Sequence, residues 1–221
     1  YRWMLGRFVC PMARLQELFA LVKSRPDASL LSLGALGKQS SNEAEVFPSM
    51  AAEIRVIEEY CQKLDASYEL TLPNNVVFES LAYIADPAVW AADQSGMDTF
   101  VEVPMTPAWR QAVERIAATL KPWTESHDDR TAPLGLKLRC GGITADAFPS
   151  DAQVAFFIAQ CRDAKAPWKA TAGLHHPRRH WDESLQVWHH GFLNVFGAGI
   201  LAWTNNLAEA DLVEILADRE A

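Results

Sequence analysis

Two lysines of this chain stand inside otherwise apolar runs, and each run ends in glycine. Lys169 opens KATAG at 169–173, and Lys137 opens KLRCGG at 137–142. An amine that is enclosed by apolar groups beside another cation has a lowered pKa, so it can attack a carbonyl carbon and form a Schiff base. The two runs therefore predict a reactive amine at Lys169, with Lys137 and Arg139 supplying the neighbouring positive charge.

The same strands predict a polar interior. Successive side chains of a strand point to opposite faces, so Lys137 shares a face with Arg139, and Lys169 with Thr171. In a barrel, the apolar face of each strand must pack against the surrounding helices. The polar side chains on the opposite face must then point into the barrel. That set consists of Glu69, Thr71, Glu102, Lys137, Arg139, Lys169, Thr171 and Asn194.

Most of these inward side chains have an expected role in binding or catalysis. Glu102 or Glu69 would shuttle the proton that carbinolamine dehydration or carbon–carbon cleavage requires. Lys137 and Arg139 would alternatively hold an anionic group of the substrate. Gly173, together with the glycines at 141–142, would let the backbone approach that group. Thr171 and Asn194 are expected to orient the ligand.

Histidines follow the strand that carries Lys169. His175 and His176 lie in the loop after it, where His176 is expected to act as a general acid or base and His175 to contact the substrate. A pair held by surface hydrogen bonds is the alternative. A metal held by His176, Glu69 and Glu102 is not predicted, because the nearby Lys and Arg charges oppose a cation. No cofactor is predicted either.

The elements that must position these residues alternate along the chain. We predict strands at 4–9, 30–36, 68–73, 99–104, 134–140, 168–174 and 191–196. We predict helices at 11–24, 48–64, 76–95, 107–120, 149–164 and 207–221. Strict alternation implies a parallel sheet with helical crossovers.

This pattern predicts an α/β chain folded as one (β/α)8 TIM-type barrel domain over 1–221. No eighth strand is evident after residue 206, so the barrel is open or incomplete, or its last strand lies beyond Ala221. A doubly wound open sheet is the alternative. No GxGxxG follows the first strand, which argues against a dinucleotide-binding form of it.

Composition limits the partners. The net charge is −8, which disfavours nucleic acid and anionic membrane surfaces. No apolar run reaches about 18 residues, so no membrane span is predicted. The four scattered cysteines, Cys10, Cys61, Cys140 and Cys161, indicate reduced thiols in a cytoplasmic protein. The expected partner is a small anionic substrate, and a homo-oligomer is left open.

Several phrases resemble known families. KLRCGG, KATAGLHHPRR and HGFLNVF, in that order, resemble an uncharacterised bacterial β/α-barrel family, which implies the barrel but no activity. Lys169-Ala-Thr171-Ala-Gly173-Leu174 is similar to the Schiff-base strand of class I aldolases of the deoxyribose-phosphate aldolase type. There, however, the second lysine phrase follows the first, whereas here Lys137 precedes Lys169. The resemblance implies a lyase.

Two other functions remain open at this point. A barrel without catalysis would capture a small carboxylate or phosphate through the same three cations. A purely structural network would pair Glu69 and Glu102 with the cations and bind no ligand.

Overall fold

The computed structural model describes residues 6–25, 31–61, 66–75, 97–126 and 134–220. Contacts within the chain define two compact units. The first comprises Tyr1–Pro104 and Glu125–Gly135, and the second comprises Met105–Thr124 and Leu136–Ala221. The predicted helix at 76–95 lies outside the described residues.

The first unit is built on four parallel strands that follow one another in sequence order. They are β1 (Phe8–Pro11), β2 (Leu33–Leu36), β3 (Ala66–Thr71) and β4 (Asp98–Glu102). Its described helices are α1 (Leu15–Val22) and α2 (Glu43–Cys61). The second helix starts at Glu43, and Pro48 lies inside it, so the predicted start at Pro48 is wrong.

The apolar side of this sheet faces a helix. Tyr68 is fully buried, and its hydroxyl donates a 2.6 Å hydrogen bond to Oε2 of Glu53 on α2. Burial and the Glu53 carboxylate together raise the pKa of Tyr68. Because side chains alternate along β3, Glu69 points away from α2. The predicted division of β3 into a helix-facing and a polar face is thus confirmed.

The second unit combines a parallel strand pair with helices and a hairpin. The pair is β5 (Leu134–Arg139), whose first two residues belong to the first unit, and β6 (Trp168–Thr171). The hairpin is β7 (His180–Asp182) with β8 (Val187–His189). The helices are α3 (Trp109–Ser126), α4 (Asp151–Asp163), α5 (Phe192–Asn205) and α6 (Glu209–Ala217).

The predicted strand at 191–196 is wrong, because this segment begins α5. Its short alternation of apolar residues continues into a longer apolar run, in which Val195, Ala198 and Ala202 are buried. Spacings of three and four residues put one side of a helix against the core. A short apolar run does not by itself distinguish strand from helix.

Six described strands are parallel to a neighbour, and described helices follow β1, β2, β4 and β5, so the α/β class is confirmed.

The helices α4 and α6 differ in the hydrogen bonds at their starts. At α4 the Gln153 N–H donates to Ser150 Oγ at 3.3 Å, and the Ser150 N–H donates to Gln153 Oε1 at 2.8 Å. This reciprocal cap satisfies two backbone donors. At α6 the corresponding residue is Ala208, whose side chain cannot accept a hydrogen bond.

The two caps give a paired prediction. Ser150→Ala should lower the free energy of unfolding by about 1 kcal/mol, because it leaves a helix donor without its partner. Ala208→Ser should raise it by up to about 1 kcal/mol, because it supplies the missing acceptor. Urea denaturation of both variants checks the pair. Equal stability of Ser150→Ala and the parent chain would contradict this account of the cap.

Candidate functional site

The two lysines lie side by side on neighbouring strands. Lys137 and Lys169 are Cα partners in the parallel pairing of β5 with β6, and Arg139 is the partner of Thr171. Partners on adjacent parallel strands share a face, with strands about 4.8 Å apart. Lys137 is only 6% exposed, while Lys169 and Thr171 are half-buried and Arg139 is exposed. The structure therefore brings together four of the predicted site residues.

Packing on the other side of β6 fixes this face. The indole of Trp168 lies edge-on to Phe157 of α4, with ring centroids 6.0 Å apart, and stacks on Phe196 of α5 at 5.8 Å. Gly199 of α5 leaves space for the indole, which a Cβ there would overlap. With Trp168 held against two helices, Lys169 must point to the opposite face.

The glycines after the two strands have a structural reason. A Cβ on Gly141 would lie 2.7 Å from Phe148 Cε1 and 2.8 Å from Gly173 Cα. Gly173 has a φ of 68°, and a Cβ there would lie 2.6 Å from the Cys140 carbonyl oxygen. The two chain segments touch through these glycines. Their predicted role in approaching an anionic ligand stays a prediction.

Arg139 and Cys140 complete the end of β5. The Arg139 Nε–H donates to the Gly141 carbonyl at 3.0 Å, which directs this guanidinium along its own chain. Cys140 is fully buried, and burial raises the pKa of its thiol to about 12. A thiol with such a pKa is not a nucleophile. Cys10, Cys140 and Cys161 are buried, as predicted, and none of the three forms a disulfide within the described residues.

A histidine cluster, His176, His180 and His189, lies beyond β6. The ring centroids of His176 and His180 are 4.0 Å apart, and those of His180 and His189 are 4.8 Å apart. His189 also stacks on Phe148 at 4.1 Å. Since Phe148 contacts Gly141 as well, the cluster is continuous with the ends of β5 and β6.

The hairpin assembles this cluster. His180 and His189 are Cα partners on β7 and β8, and His176 comes from the preceding loop. Asp182 makes the turn, since its Oδ1 accepts from the Ser184 and Leu185 N–H groups at 2.8 and 3.0 Å. The sequence patterns indicated His176 as a site residue but not His180 or His189. The available signal was the near-symmetric HW…WH spacing on either side of DESLQV.

The surroundings of His189 favour its neutral imidazole form. Burial lowers the pKa of His189, and the charge of neighbouring His180 lowers it further, while Asp182 at 3.4 Å acts in the opposite sense. His175 and His176 also lower it. Nδ1 of His180 is buried and makes no hydrogen bond within the described residues, which is uncommon for a polar atom.

A half-buried polar network holds the loop that contains His175 and His176. The Arg179 guanidinium pairs with Asp151, and the Arg179 N–H donates to Asn194 Oδ1 at 3.0 Å. The amide of Asn194 donates to the Ile215 and Asp218 carbonyls, each at 3.0 Å. Asn194 thus lies on a helix and joins three chain segments. Its predicted part in orienting a ligand remains untested by these contacts.

His190 belongs to the same network. Its Nε2–H donates to the Pro149 carbonyl at 2.6 Å, and its Nδ1 lies 3.6 Å from Asp151 Oδ1. The ring is only 1% exposed, and burial lowers its pKa. His190 is therefore a neutral, structural group.

The predicted carboxylates belong to the first unit. Glu69 is 1% exposed and Glu102 6% exposed, and register places Thr71 beside Glu102 on one face. Glu69 lies over Gly34, where a Cβ would be 3.5 Å from its Oε1. Both carboxylates are thus buried on the polar face of β3 and β4, as the parity of the strands predicts.

Three further features of the described residues concern metal ions, membrane-spanning helices and pockets. Among them, no group of three or more His, Cys, Asp and Glu side chains has metal-binding geometry. No helix in the described ranges is long and apolar enough to cross a membrane. A shallow pocket of about 140 Å³ lies between β1 and α1, lined by Val9, Cys10, Leu18 and Leu21 among others.

Comparison of the chain with protein-family models, with curated proteins and with solved structures finds no match. The similarity of its phrases to a barrel family and to aldolases therefore stays a prediction from the sequence.

Gly173→Ala tests the contact between the strand ends. The added methyl group meets a backbone carbonyl at a left-handed residue, so the free energy of unfolding should fall by about 1–3 kcal/mol. Gly197→Ala is the control, because a Cβ there meets nothing within 4 Å and the residue is helical. That variant should gain up to about 1 kcal/mol. Urea denaturation distinguishes them, and an unchanged Gly173→Ala would disprove the close contact.

The buried histidines predict a pH dependence of stability. His189 and His190 have lowered pKa values in the folded chain, so the unfolded chain binds more protons as the pH drops below about 6.5. The free energy of unfolding should therefore be highest above pH 7 and decrease toward pH 5.

His190→Gln checks this assignment, because glutamine can still donate to the Pro149 carbonyl but does not titrate. Urea denaturation at pH 7.5, 6.5 and 5.5 should give a shallower slope for the variant, by up to about one proton. An identical slope would exclude His190 as a source of the dependence.

Proposed function

We propose that the chain is a lyase that uses Lys169 as a Schiff-base amine on a small anionic carbonyl substrate. The Nζ atom attacks the carbonyl carbon, and the carbinolamine loses water to give an imine. The protonated imine accepts the electron pair of the bond between the α and β carbons as that bond breaks, while the β-hydroxyl loses its proton and leaves as a carbonyl product. The resulting enamine takes up a proton at its α carbon, and hydrolysis of the imine releases the second product and regenerates Lys169.

The observation that carries the proposal is the pairing of Lys137 with Lys169. The two side chains lie on the same face of adjacent strands, and an uncharged lysine amine is the nucleophile in imine formation. Lys169 is the more exposed of the two and is therefore the one that a substrate reaches. Lys137 is nearly buried and provides the positive field.

The histidine cluster supplies acid and base groups within the same unit. His176 is exposed in the loop that follows β6, so it is the member that meets a substrate. Its ring contacts His180, and the ring of His180 contacts His189. We propose His176 as the group that protonates and deprotonates the carbinolamine oxygen. Proton transfer by Glu69 or Glu102 is the alternative assignment.

The barrel architecture and the cellular compartment are part of the same proposal. We propose an incomplete or open (β/α)8 barrel, in which the polar faces of the strands line the interior. Three buried free thiols support a reducing, cytoplasmic compartment.

Reductive trapping tests the amine. The folded protein is incubated with pyruvate or glyceraldehyde 3-phosphate and sodium cyanoborohydride, which reduces an imine to a stable secondary amine. We expect one adduct per chain, and peptide mass mapping should place it on Lys169. Reaction with exposed lysines is measured on the urea-unfolded chain and subtracted.

Two charge-conserving variants are the matched controls. Lys169→Arg should abolish the mapped adduct, since a guanidinium does not form an imine, whereas Lys137→Arg should retain it. An adduct on Lys137, or uniform labelling of all lysines, would refute the assignment. Absence of an adduct together with saturable binding of the same compounds would instead favour the non-catalytic anion-binding function.

A further inference from the structure

The outer side of α5 is apolar and uncovered. Six large apolar side chains of this helix have exposed fractions between 38% and 64%. They are Phe192, Leu193, Phe196, Ile200, Leu201 and Trp203. On a helical wheel most of them fall within one half of the circumference, with Phe192, Phe196 and Trp203 in one row and Leu193 beside Ile200.

The inner side of the same helix is already satisfied. Val195, Ala198 and Ala202 are buried, and the backbone at Gly199 packs against the Trp168 indole. No residue of α5 carries a charge. A helix that is apolar all round is normally buried on all sides. Within the described part of the chain, the outer side therefore lacks the cover that such a composition favours.

The size of this surface fits a protein partner. Aromatic side chains bury about 150–250 Å² each, so six large side chains at these exposures present on the order of 600 Å². That value is at the upper end of the largest apolar patch on an ordinary monomer. A standard interface buries about 800 Å² per partner. The outer side of α5 thus supplies most of what one side of a stable dimer needs.

We propose that this surface joins two copies of the chain through a two-fold axis, with α5 packed against α5. In such a contact each residue meets the same surface on the other copy, so a charge near the axis would face its own like charge. A helix without any charge avoids that repulsion. The net charge of −8 opposes association elsewhere on the surface, which leaves the neutral helix as the favourable contact.

Sedimentation velocity tests the proposal on the full chain. The parent chain should sediment as a dimer at about 10 µM. Leu193→Glu combined with Ile200→Glu should weaken association at least about 100-fold and give a monomer, because four carboxylates then meet at the contact. Both positions are more than half exposed, so the monomer should keep its fold by circular dichroism.

A matched variant controls for the added charge. Leu21→Glu is compared with Leu193→Glu alone, since each adds one carboxylate at a leucine of similar exposure, 65% and 59%. Leu21→Glu on α1 should leave the dimer intact, whereas Leu193→Glu should weaken it. A parent chain that stays monomeric at 50 µM would overturn the proposal. A dimer that persists in the Leu193→Glu/Ile200→Glu chain would overturn it as well. If the parent chain is monomeric and binds a hydrophobic dye through α5, the proposal of a dimer is wrong and the surface belongs to a different partner.

Discussion

The position of Trp168 is the constraint on which the candidate site depends. Its indole lies between Phe157 and Phe196, and Gly199 leaves the space that it fills. A shift of β6 by one residue would place an ammonium in this aromatic contact and the indole on the polar face. The free energy lost on burying an unpaired charge makes such a shift strongly unfavourable. One aromatic contact therefore determines which face Lys169 occupies.

The histidine cluster depends on a second, independent arrangement. The turn made by Asp182 pairs β7 with β8, and this pairing sets His180 opposite His189. The Asp151–Arg179 pair and the Asn194 amide hold the preceding loop, so that His176 reaches the same rings. Phe148 connects this cluster to the ends of the lysine strands. The histidine cluster and the ends of β5 and β6 are thus in contact with the same phenyl ring, that of Phe148.

Helix α5 links the proposed chemistry to the proposed assembly. Its inner side packs on Trp168 and so stabilises the strand that carries Lys169. Its outer side would meet the second copy. Burial of that outer side would hold the helix against β6, because the dimer is formed only by chains in which α5 is folded. Formation of the dimer would then stabilise the position of the Lys169 amine on β6, and the two would be thermodynamically coupled.

The sequence by itself determined the features that depend on neighbours along the chain. Strand alternation assigned Lys137, Lys169 and Glu69 to polar faces, and the helical spacing of apolar residues predicted the helix at 149–164 that the structure shows as α4. These follow from backbone geometry and from groups a few residues apart.

Only the tertiary structure decided the rest. Whether 191–196 forms a strand or a helix depended on the aromatic and aliphatic surface against which it packs, since its short apolar run satisfies both periods. The meeting of His176, His180 and His189 depended on a hairpin and on Asn194, which lies on a different element. Contacts between residues remote in sequence arise from packing, and no local pattern specifies them.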